Sequence, residues 1–595
     1  MPDTFPCPAP PGSPLPGSPA PGNGARTQQV TAGRTGLPLS IWPGVPALAC
    51  PLPGQDPPPC PHCPGLRAWP VITAFSRPGD LVAMAGPGAG CAILTVAAVS
   101  TGRRIIEVTA FPPAQPAVQA PADCQAGPDT TLPGAAGYGT GRAALAVTVP
   151  GDDGGPDAGE AASYAACQRA LRPGGILAVI AGRPAPGQVP DLSLAVACAR
   201  AAGLVYAQHI ILIHAAVDGA RLRPLPGLHI AAPSSAPSPA CTSPRSARAK
   251  ARRTPASTPT CSSSRRDRSR MTEDPVLAAV PALARQHDDD PPLSVWATAQ
   301  HDARTQRQGR YLPESIAHPG KMLPAIAATA ITRYTEPGDL VADPMCGIGT
   351  TLVEAVHLGR DGLGVEYEPR WAHVAAANIS YARCHGAAGA AEVIHGDARQ
   401  LDRLLPPGTA GQAALIVTSP PYGPSIHGQV KAEARAGGGK VAKWDNRYGT
   451  DPANLASRRL DDLLDGLTGI LTASRALLKP GGIVVVTTRP FRQRGELVDF
   501  PGAVLAAGQA AGLVPAERCV ALLAALHDGQ LIARPSFFQL KNLRAARARG
   551  NPWHLIAHED VLIFRNPELP GVRELRHARP QPAARDAGGK QRRAA

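Results

Sequence analysis

DPMCGIGTT, Asp343 to Thr351, follows the short apolar run Asp339 to Ala342 and leads into a helical stretch that begins near Thr350. A strand, a glycine turn and a helix in that order bring backbone to the carboxyl end of a strand. Gly347 and Gly349 let the chain turn tightly and approach a ligand closely, and the helix start offers free amide donors. The turn has neither the lysine of a phosphate-binding loop nor a third glycine in GxGxxG spacing, which disfavours nucleotide phosphates. Glu366 lies about 20 positions beyond the turn, the spacing of a ribose-binding carboxylate. Asp397, in HGDAR, ends the next candidate strand, where it can accept from an adenine amine or cap a helix.

A second motif, TSPPYG, runs from Thr418 to Gly423. Two prolines fix a rigid extended turn at a strand end, so the Ser419 hydroxyl and the Pro420 carbonyl can be held as acceptors for an exocyclic amine. Pro421 continues the turn, and Tyr422 supplies a flat face for stacking a base drawn out of its helix. A plain Pro-Pro turn leaving a sheet is the alternative reading of the motif alone.

Around these motifs, short apolar runs alternate with helical segments, the signature of a parallel sheet covered on both faces. Strands are expected at Asp339 to Ala342, Gly362 to Val365, Glu392 to Ile394, Ala414 to Val417, Gly482 to Thr487, Cys519 to Leu523 and Val561 to Phe564. Helices are expected to begin near Thr350, Arg370, Leu460 and Pro501. In such sheets ligands gather outside the carboxyl ends of the strands, where both motifs lie.

Much of this pattern occurs twice. PGDLVA recurs at Pro78 and Pro337, Gly88 and Gly90 match Gly347 and Gly349, and Glu107 falls where Glu366 falls. GRAALAVTVPG at Gly141 parallels GQAALIVTSPPYG at Gly411, ALRPGGILAVIAGRP at Ala170 parallels ALLKPGGIVVVTTRP at Ala476, and LSIW at Leu39 parallels LSVW at Leu293. So long a period marks a duplicated domain rather than a solenoid. In the first copy Met84 and Ala85 replace Asp343 and Pro344, and Val149 to Asp152 stand in place of Ser419 to Tyr422. The first copy therefore reads as degenerate.

The expected organisation is a Pro/Gly-rich disordered segment over 1–36, a degenerate domain over 37–232, a basic disordered linker over 233–270, a catalytic domain over 271–566 and a basic disordered tail over 567–595. The net charge of +14 over 595 residues suits a polyanionic partner, although much of it sits in the linker and tail. Thirteen scattered cysteines suit a reducing compartment. No signal-peptide pattern opens the chain and no apolar run approaches the roughly 20 residues of a bilayer span, so a cytoplasmic protein is expected. CPHC at Cys60 to Cys63, with Cys50, makes an awkward ligand set, and no metal site is expected.

Residues 290 to 566 resemble the amino-methyltransferases of bacterial DNA modification, the N4-cytosine and N6-adenine family. DPMCGIGTT resembles the cofactor motif DPFxGSGTT, TSPPY the catalytic motif [DNS]PPY, and HPGKM at His318 to Met322 the HPxK segment. The resemblance implies two tandem Rossmann-like class I methyltransferase domains, α/β with mostly parallel seven-stranded sheets, the N-terminal one degenerate. It implies S-adenosyl-L-methionine as cofactor, bound by Asp343, Cys346, Gly347, Gly349, Thr350, Glu366, Asp397, His318 and Lys321, with Ser419, Pro420, Pro421 and Tyr422 positioning the target amine. Met345 and Ile348 depart from the family pattern, which usually has an aromatic and a small residue there. The serine form of the catalytic motif favours N4 of cytosine over N6 of adenine, within a restriction-modification setting.

Little room remains for a separate recognition module, so target contact falls to insertions. Lys431, Arg435, Lys440, Lys443, Trp444 and Arg447 make the loop after the catalytic turn basic and partly aromatic, suited to the phosphates and bases of double-stranded DNA. KNLRAARAR at Lys541 is a second basic stretch. The alternatives are an RNA enzyme of the tRNA-guanine type and a non-catalytic nucleic-acid-binding scaffold. The two copies are expected to pack together.

Overall fold

The computed structural model describes residues 39–43, 64–85, 98, 102–108, 141–148, 158–180, 189–213, 215–224, 294–423, 429–432, 441–444, 448–528, 530–535 and 537–567. The chain divides into one compact unit, Met1–Leu225 with Pro291–Ala595, and a segment, Pro226–Asp290, outside the described residues. The expected disorder of 1–36, of the linker and of the tail beyond residue 567 also falls outside them.

The second half is built in chain order from β1 (Val295–Trp296), α1 (Pro324–Tyr334), β2 (Leu340–Asp343), α2 (Thr350–His357), β3 (Asp361–Glu366), α3 (Pro369–Cys384), β4 (Ala391–His395), β5 (Ala413–Thr418), α4 (Leu460–Ser474), β6 (Leu478–Thr488), α5 (Phe500–Ala510), β7 (Val514–Leu522) and β8 (His558–Arg565). These strands form one sheet in the order β4-β3-β2-β5-β6-β8-β7-β1. Only β8 runs against its neighbours, β6 and β7. All seven expected strands are present. The sheet has eight rather than seven, because the LSVW segment adds β1 as a parallel edge strand with Val295 opposite Val520 and Trp296 opposite Ala521.

Burial on both faces explains why the strands read as unbroken apolar runs. On β5, Ile416 points into the core shared with Leu463, Leu467 and Ile470 of α4 and Phe500 and Val504 of α5. Its neighbours Leu415 and Val417 point the other way, onto Ile326 and Ile331 of α1. Helix α3 starts on Pro369, whose fixed φ and missing N–H suit a first turn, and α5 is capped by Asp499, which accepts from Gly502 N at 3.2 Å. Crossing from β2 through α2 to β3, and from β5 to β6, the chain delivers every parallel strand end to one edge. This is a Rossmann-like class I methyltransferase fold, a mixed sheet with flanking helices.

In the first half, Arg104–Glu107, Leu81–Ala85, Ala143–Thr148 and Leu171–Val179 form a four-stranded parallel sheet in that spatial order. The expected second complete sheet is not found among the described residues. The strands that do form are those whose sequence recurs in β3, β2, β5 and β6. Ile41–Pro43, from LSIW, pairs in parallel with Ile211–Ile213, as LSVW pairs with β7. The two halves share an apolar cluster in which Leu39, Ile41 and Ile213 meet Val520, Leu522 and Leu555. Leu497 N donates to Tyr206 O at 2.9 Å, and Arg518 Nη1 donates to Pro190 O at 3.0 Å. Among the described residues no helix is long and apolar enough to cross a membrane.

Candidate active site

The glycine turn sits at the carboxyl end of β2. Gly347 and Gly349 have φ of +55° and +78°, in the left-handed region that a side chain resists. A Cβ on Gly347 would lie 3.1 Å from His318 Nε2, so the glycine also admits the HPGK segment against the turn. Cys346 N donates to Val365 O at 3.0 Å, and Asn378 Nδ2 donates to Ile348 O at 2.9 Å, which ties the turn to β3 and α3. Cys346 itself is buried, and a Cβ on Gly364 would fall 2.9 Å from its Sγ.

Asp343 is 3% exposed and works inside the turn. Its Oδ1 accepts from Met345 N at 3.1 Å and its Oδ2 from Thr351 Oγ1 at 2.7 Å. The same Thr351 hydroxyl lies 3.2 Å from Val417 O, so one side chain joins the start of α2 to the last residues of both β2 and β5. Burial raises the Asp343 carboxyl to about 6. Thr350 is buried beside it, its carbonyl 3.4 Å from Tyr311 Oη.

Glu366 ends β3, where the strand meets the turn. Its Oε2 accepts from Gly347 N at 2.7 Å and its Oε1 from Glu368 N at 2.9 Å. Burial pushes this carboxyl up to about 7 against those two amides, which favour the charged form. Beyond it a cleft of about 770 Å³ opens between the ends of β3 and β4, lined by Tyr367, Arg370, His395, Asp397, Thr450 and Asp451 among others. Asp397 caps the short turn after β4 by accepting from Arg399 N at 3.0 Å, and it pairs with the Arg399 guanidinium at 2.7 Å. The helix-capping alternative is thus realised, in the wall of the cleft.

His318 is buried, edge-on to Trp371 at 4.7 Å and to Tyr448 at 5.4 Å between centroids. Burial, with Lys321 beside it, lowers its pKa to about 3, so the ring is neutral. Lys321 Nζ donates to the carbonyls of His318 and Ile316, and burial pulls the ammonium down to about 7.

TSPPYG leaves β5 at the same edge. Strands β2 and β5 are adjacent and parallel, with Ala342 opposite Ile416, so Asp343 and Thr418 end neighbouring strands. Pro420 is buried, and Ser419, Pro421 and Tyr422 are half-buried. The Tyr422 ring packs 5.4 Å from Phe500 and 6.0 Å from Phe491, with the Arg489 guanidinium 5.9 Å from its centre. Those contacts fix the ring against the core.

Of the basic loop, Lys431 lies on Gln429–Ala432, and Lys443 and Trp444 lie on Val441–Trp444. The two segments pair as an antiparallel hairpin with Gln429 opposite Trp444. Arg435, Lys440 and Arg447 lie outside the described residues.

Sequence reasoning missed the segment after this loop. Tyr367 Oη donates to Asp451 Oδ2 at 2.6 Å, while Glu368 Oε1 accepts from Gly449 N at 2.8 Å and from Asn454 Nδ2 at 2.6 Å. These bonds strap residues 448–454 across the end of β3, beside the cleft. Composition carries no signal for the strap, because its partners are 81 to 86 residues away in sequence.

A family model described as DNA methylase matches residues 245–377, a span that holds the HPGK segment, the glycine turn and Glu366 but stops short of TSPPYG. A tRNA (guanine(10)-N2)-dimethyltransferase of Methanocaldococcus jannaschii is 31% identical over 107 residues, which cover 18% of this chain and 30% of that protein. Among solved structures, TrmN from Thermus thermophilus aligns with 44% of this chain and 53% of its own at 16% identity and a TM-score of 0.26. A TehB-like SAM-dependent methyltransferase from Corynebacterium glutamicum aligns with 40% and 85% at 16% identity and a TM-score of 0.21. Neither structural likeness bears on the substrate.

The sheet order, the glycine turn facing a buried acid and the family match together define an S-adenosylmethionine-dependent methyltransferase domain related to the DNA-methylase family. Its site fits the cofactor: a turn too tight for side chains, a carboxylate at the end of β3 and an adjoining cleft.

Proposed function

We propose that the protein is a site-specific DNA methyltransferase acting on an exocyclic amino group, N4 of cytosine in preference to N6 of adenine. The observation that supports it best is the placement of DPMCGIGTT and TSPPYG on adjacent parallel strands, stitched by the Thr351 hydroxyl.

S-adenosyl-L-methionine supplies an electrophilic methyl group on a sulfonium. Gly347 and Gly349 keep the turn open to it, Glu366 accepts from the ribose hydroxyls, Asp397 and Arg399 border the adenine side, and His318 and Lys321 buttress the turn under the methionine end. Asp343, Cys346 and Thr350 hold the turn in shape. An exocyclic amine is a weak nucleophile because its lone pair is delocalised into the ring. Acceptor bonds from Ser419 and the Pro420 carbonyl localise the pair and aim it, so positioning and electrostatics carry the rate and no protein nucleophile is needed. Tyr422, braced by Phe491 and Phe500, walls the amine's ring. Lys431, Arg435, Lys440, Lys443, Trp444 and Arg447 form the contact to double-stranded DNA.

In this reading residues 271–566 are the catalytic domain and 37–232 a degenerate duplicate that packs against it, taking the place of a dimer partner. The retained strand pairings and the shared apolar cluster support that view. The tRNA guanine reading draws on the archaeal relative, of which the chain matches 30%. Incubation with tritiated cofactor, unmodified genomic DNA and unmodified tRNA, followed by nucleoside mass spectrometry, separates the two. N4-methylcytosine in DNA is expected, and label confined to tRNA would overturn the assignment.

A further inference from the structure

Among the described residues, a group of ionisable side chains with buried polar atoms lies where the halves meet, at the start of β8. Alternation along the strand puts His558 and Asp560 on the face that carries Leu562 and Phe564. Asp560 pairs with Thr488, at the carboxyl end of β6. His209, from the first half, joins them, its ring edge-on to His558 with centroids 5.7 Å apart. One donor atom from each of the three side chains lies within 4.8 Å of the others, and His558 Nε2 stands 3.8 Å from Asp560 Oδ2.

Three observations turn this group into a site. His209 Nδ1, His558 Nε2 and Asp560 Oδ2 are all shut off from solvent, and none has a hydrogen-bond partner. Buried polar atoms of native proteins are nearly always satisfied, so three orphans in one place call for a missing occupant. In two of the three the other atom is engaged: Ser40 Oγ, which accepts from Ala557 N at 3.0 Å, bonds His558 Nδ1 at 2.9 Å, and Arg518 Nε donates to Asp560 Oδ1 at 2.9 Å. Ligand imidazoles and carboxylates are oriented in this way by outer contacts. Two imidazole nitrogens and a carboxylate oxygen offer lone pairs to one point, a donor set suited to a cation.

We propose that His209, His558 and Asp560 bind a divalent metal ion, zinc by the chemistry of two imidazoles and one carboxylate, with a fourth position left for water. The ion staples the first half to the catalytic edge of the second. Its ligand Asp560 pairs with Thr488, the residue before Arg489, whose guanidinium lies beside Tyr422. Ser40 belongs to LSIW, so that motif serves the ligand set as well as the sheet. A site of this kind cannot form in either half alone, since His209 comes from one and His558 and Asp560 from the other.

The test is metal analysis of the full-length, untagged chain purified without chelators from zinc-supplemented cells. About one equivalent of zinc is expected, kept in a Cys60→Ser/Cys63→Ser variant and lost in His209→Ala. A chelator should lower the wild-type melting temperature by several degrees and leave His209→Ala unmoved. Because an alanine variant can fail to fold, His209→Cys provides a second reading: loaded with cobalt, it should gain a thiolate-to-metal charge-transfer band that wild type lacks. Zinc that is absent from wild type even after reconstitution, zinc that survives His209→Ala but not the double serine variant, or no new band in His209→Cys would each overturn the site.

Discussion

Replacing Glu366 by glutamine separates the cost of its charge from the shape it fills. A carboxyl raised from 4.5 to about 7 by burial binds more protons in the folded chain than in the unfolded one between those values. Such a group penalises the fold increasingly as pH rises, with no penalty below the unfolded value and a constant one above the folded value. Between pH 5 and pH 8 the penalty grows by about 2–3 kcal/mol. For a domain of this size that equals roughly 5–10 °C in melting temperature.

Glutamine keeps the volume and removes the titration. It accepts from only one of Gly347 N and Glu368 N, which costs about 1–3 kcal/mol, but that loss does not vary with pH. The variant therefore gains on wild type as pH rises, whatever their order at pH 5. Thermal unfolding of both proteins without cofactor, at steps from pH 5 to pH 8, measures the gap; groups that do not interact with Glu366 cancel in the difference, and Asp343, which does, titrates in the same window. Two parallel curves, or a gap that opens in favour of wild type, would refute the reasoning. The proposed ribose contact adds a signature of opposite sense: cofactor affinity of wild type should rise toward pH 8 as the carboxylate ionises, and Glu366→Gln should bind weakly and without that slope.

Tyr422→Ala and Pro421→Ala should each abolish methyl transfer while equilibrium binding of S-adenosylmethionine stays within a few-fold of wild type; normal turnover in either would remove TSPPYG from the reaction. Thr351→Val deletes the bonds to Asp343 and Val417 and leaves a buried carboxylate oxygen without its donor, an expected loss of about 1–3 kcal/mol by denaturant unfolding. Gly364→Ala would set a Cβ 2.5 Å from Leu352 Cδ1 and 2.9 Å from Cys346 Sγ, overpacking worth about 1–3 kcal/mol that a melting curve would show. Deleting residues 1–270 strips the cover from Val520, Leu522 and Leu555, and the truncated chain should precipitate or melt earlier than the whole.

How far the sequence could be read depended on whether the signal was local. All seven expected strands and the four helix starts appear within a few residues of their expected bounds, because apolar runs and caps such as Pro369 act on their own neighbourhood. The glycine turn and Glu366 were legible for the same reason, their spacing being fixed by one β-α-β crossover. LSVW could be matched to LSIW, yet its pairing with β7 depends on residues more than 200 positions away. The Tyr367–Asp451 bond, the packing of Tyr422 on Phe500 and the meeting of His209 with His558 arise from tertiary placement, for which no short window carries a pattern.

The two halves also show what a retained site costs. Where the second half buries Asp343 at 3% exposure, the corresponding place in the first half holds Met84 at 1%. A buried carboxylate is held against desolvation, as its raised pKa shows, whereas a buried methionine stabilises its strand. The acid is kept where it shapes the glycine turn, by accepting from Met345 N and Thr351 Oγ1. In sequence, Val149 to Asp152 stand where Ser419 to Tyr422 stand, while the strands before them, AALIVT and AALAVT, differ at one position. Change concentrated at the carboxyl edge, with the strand interiors kept, is what the proposed duplication predicts.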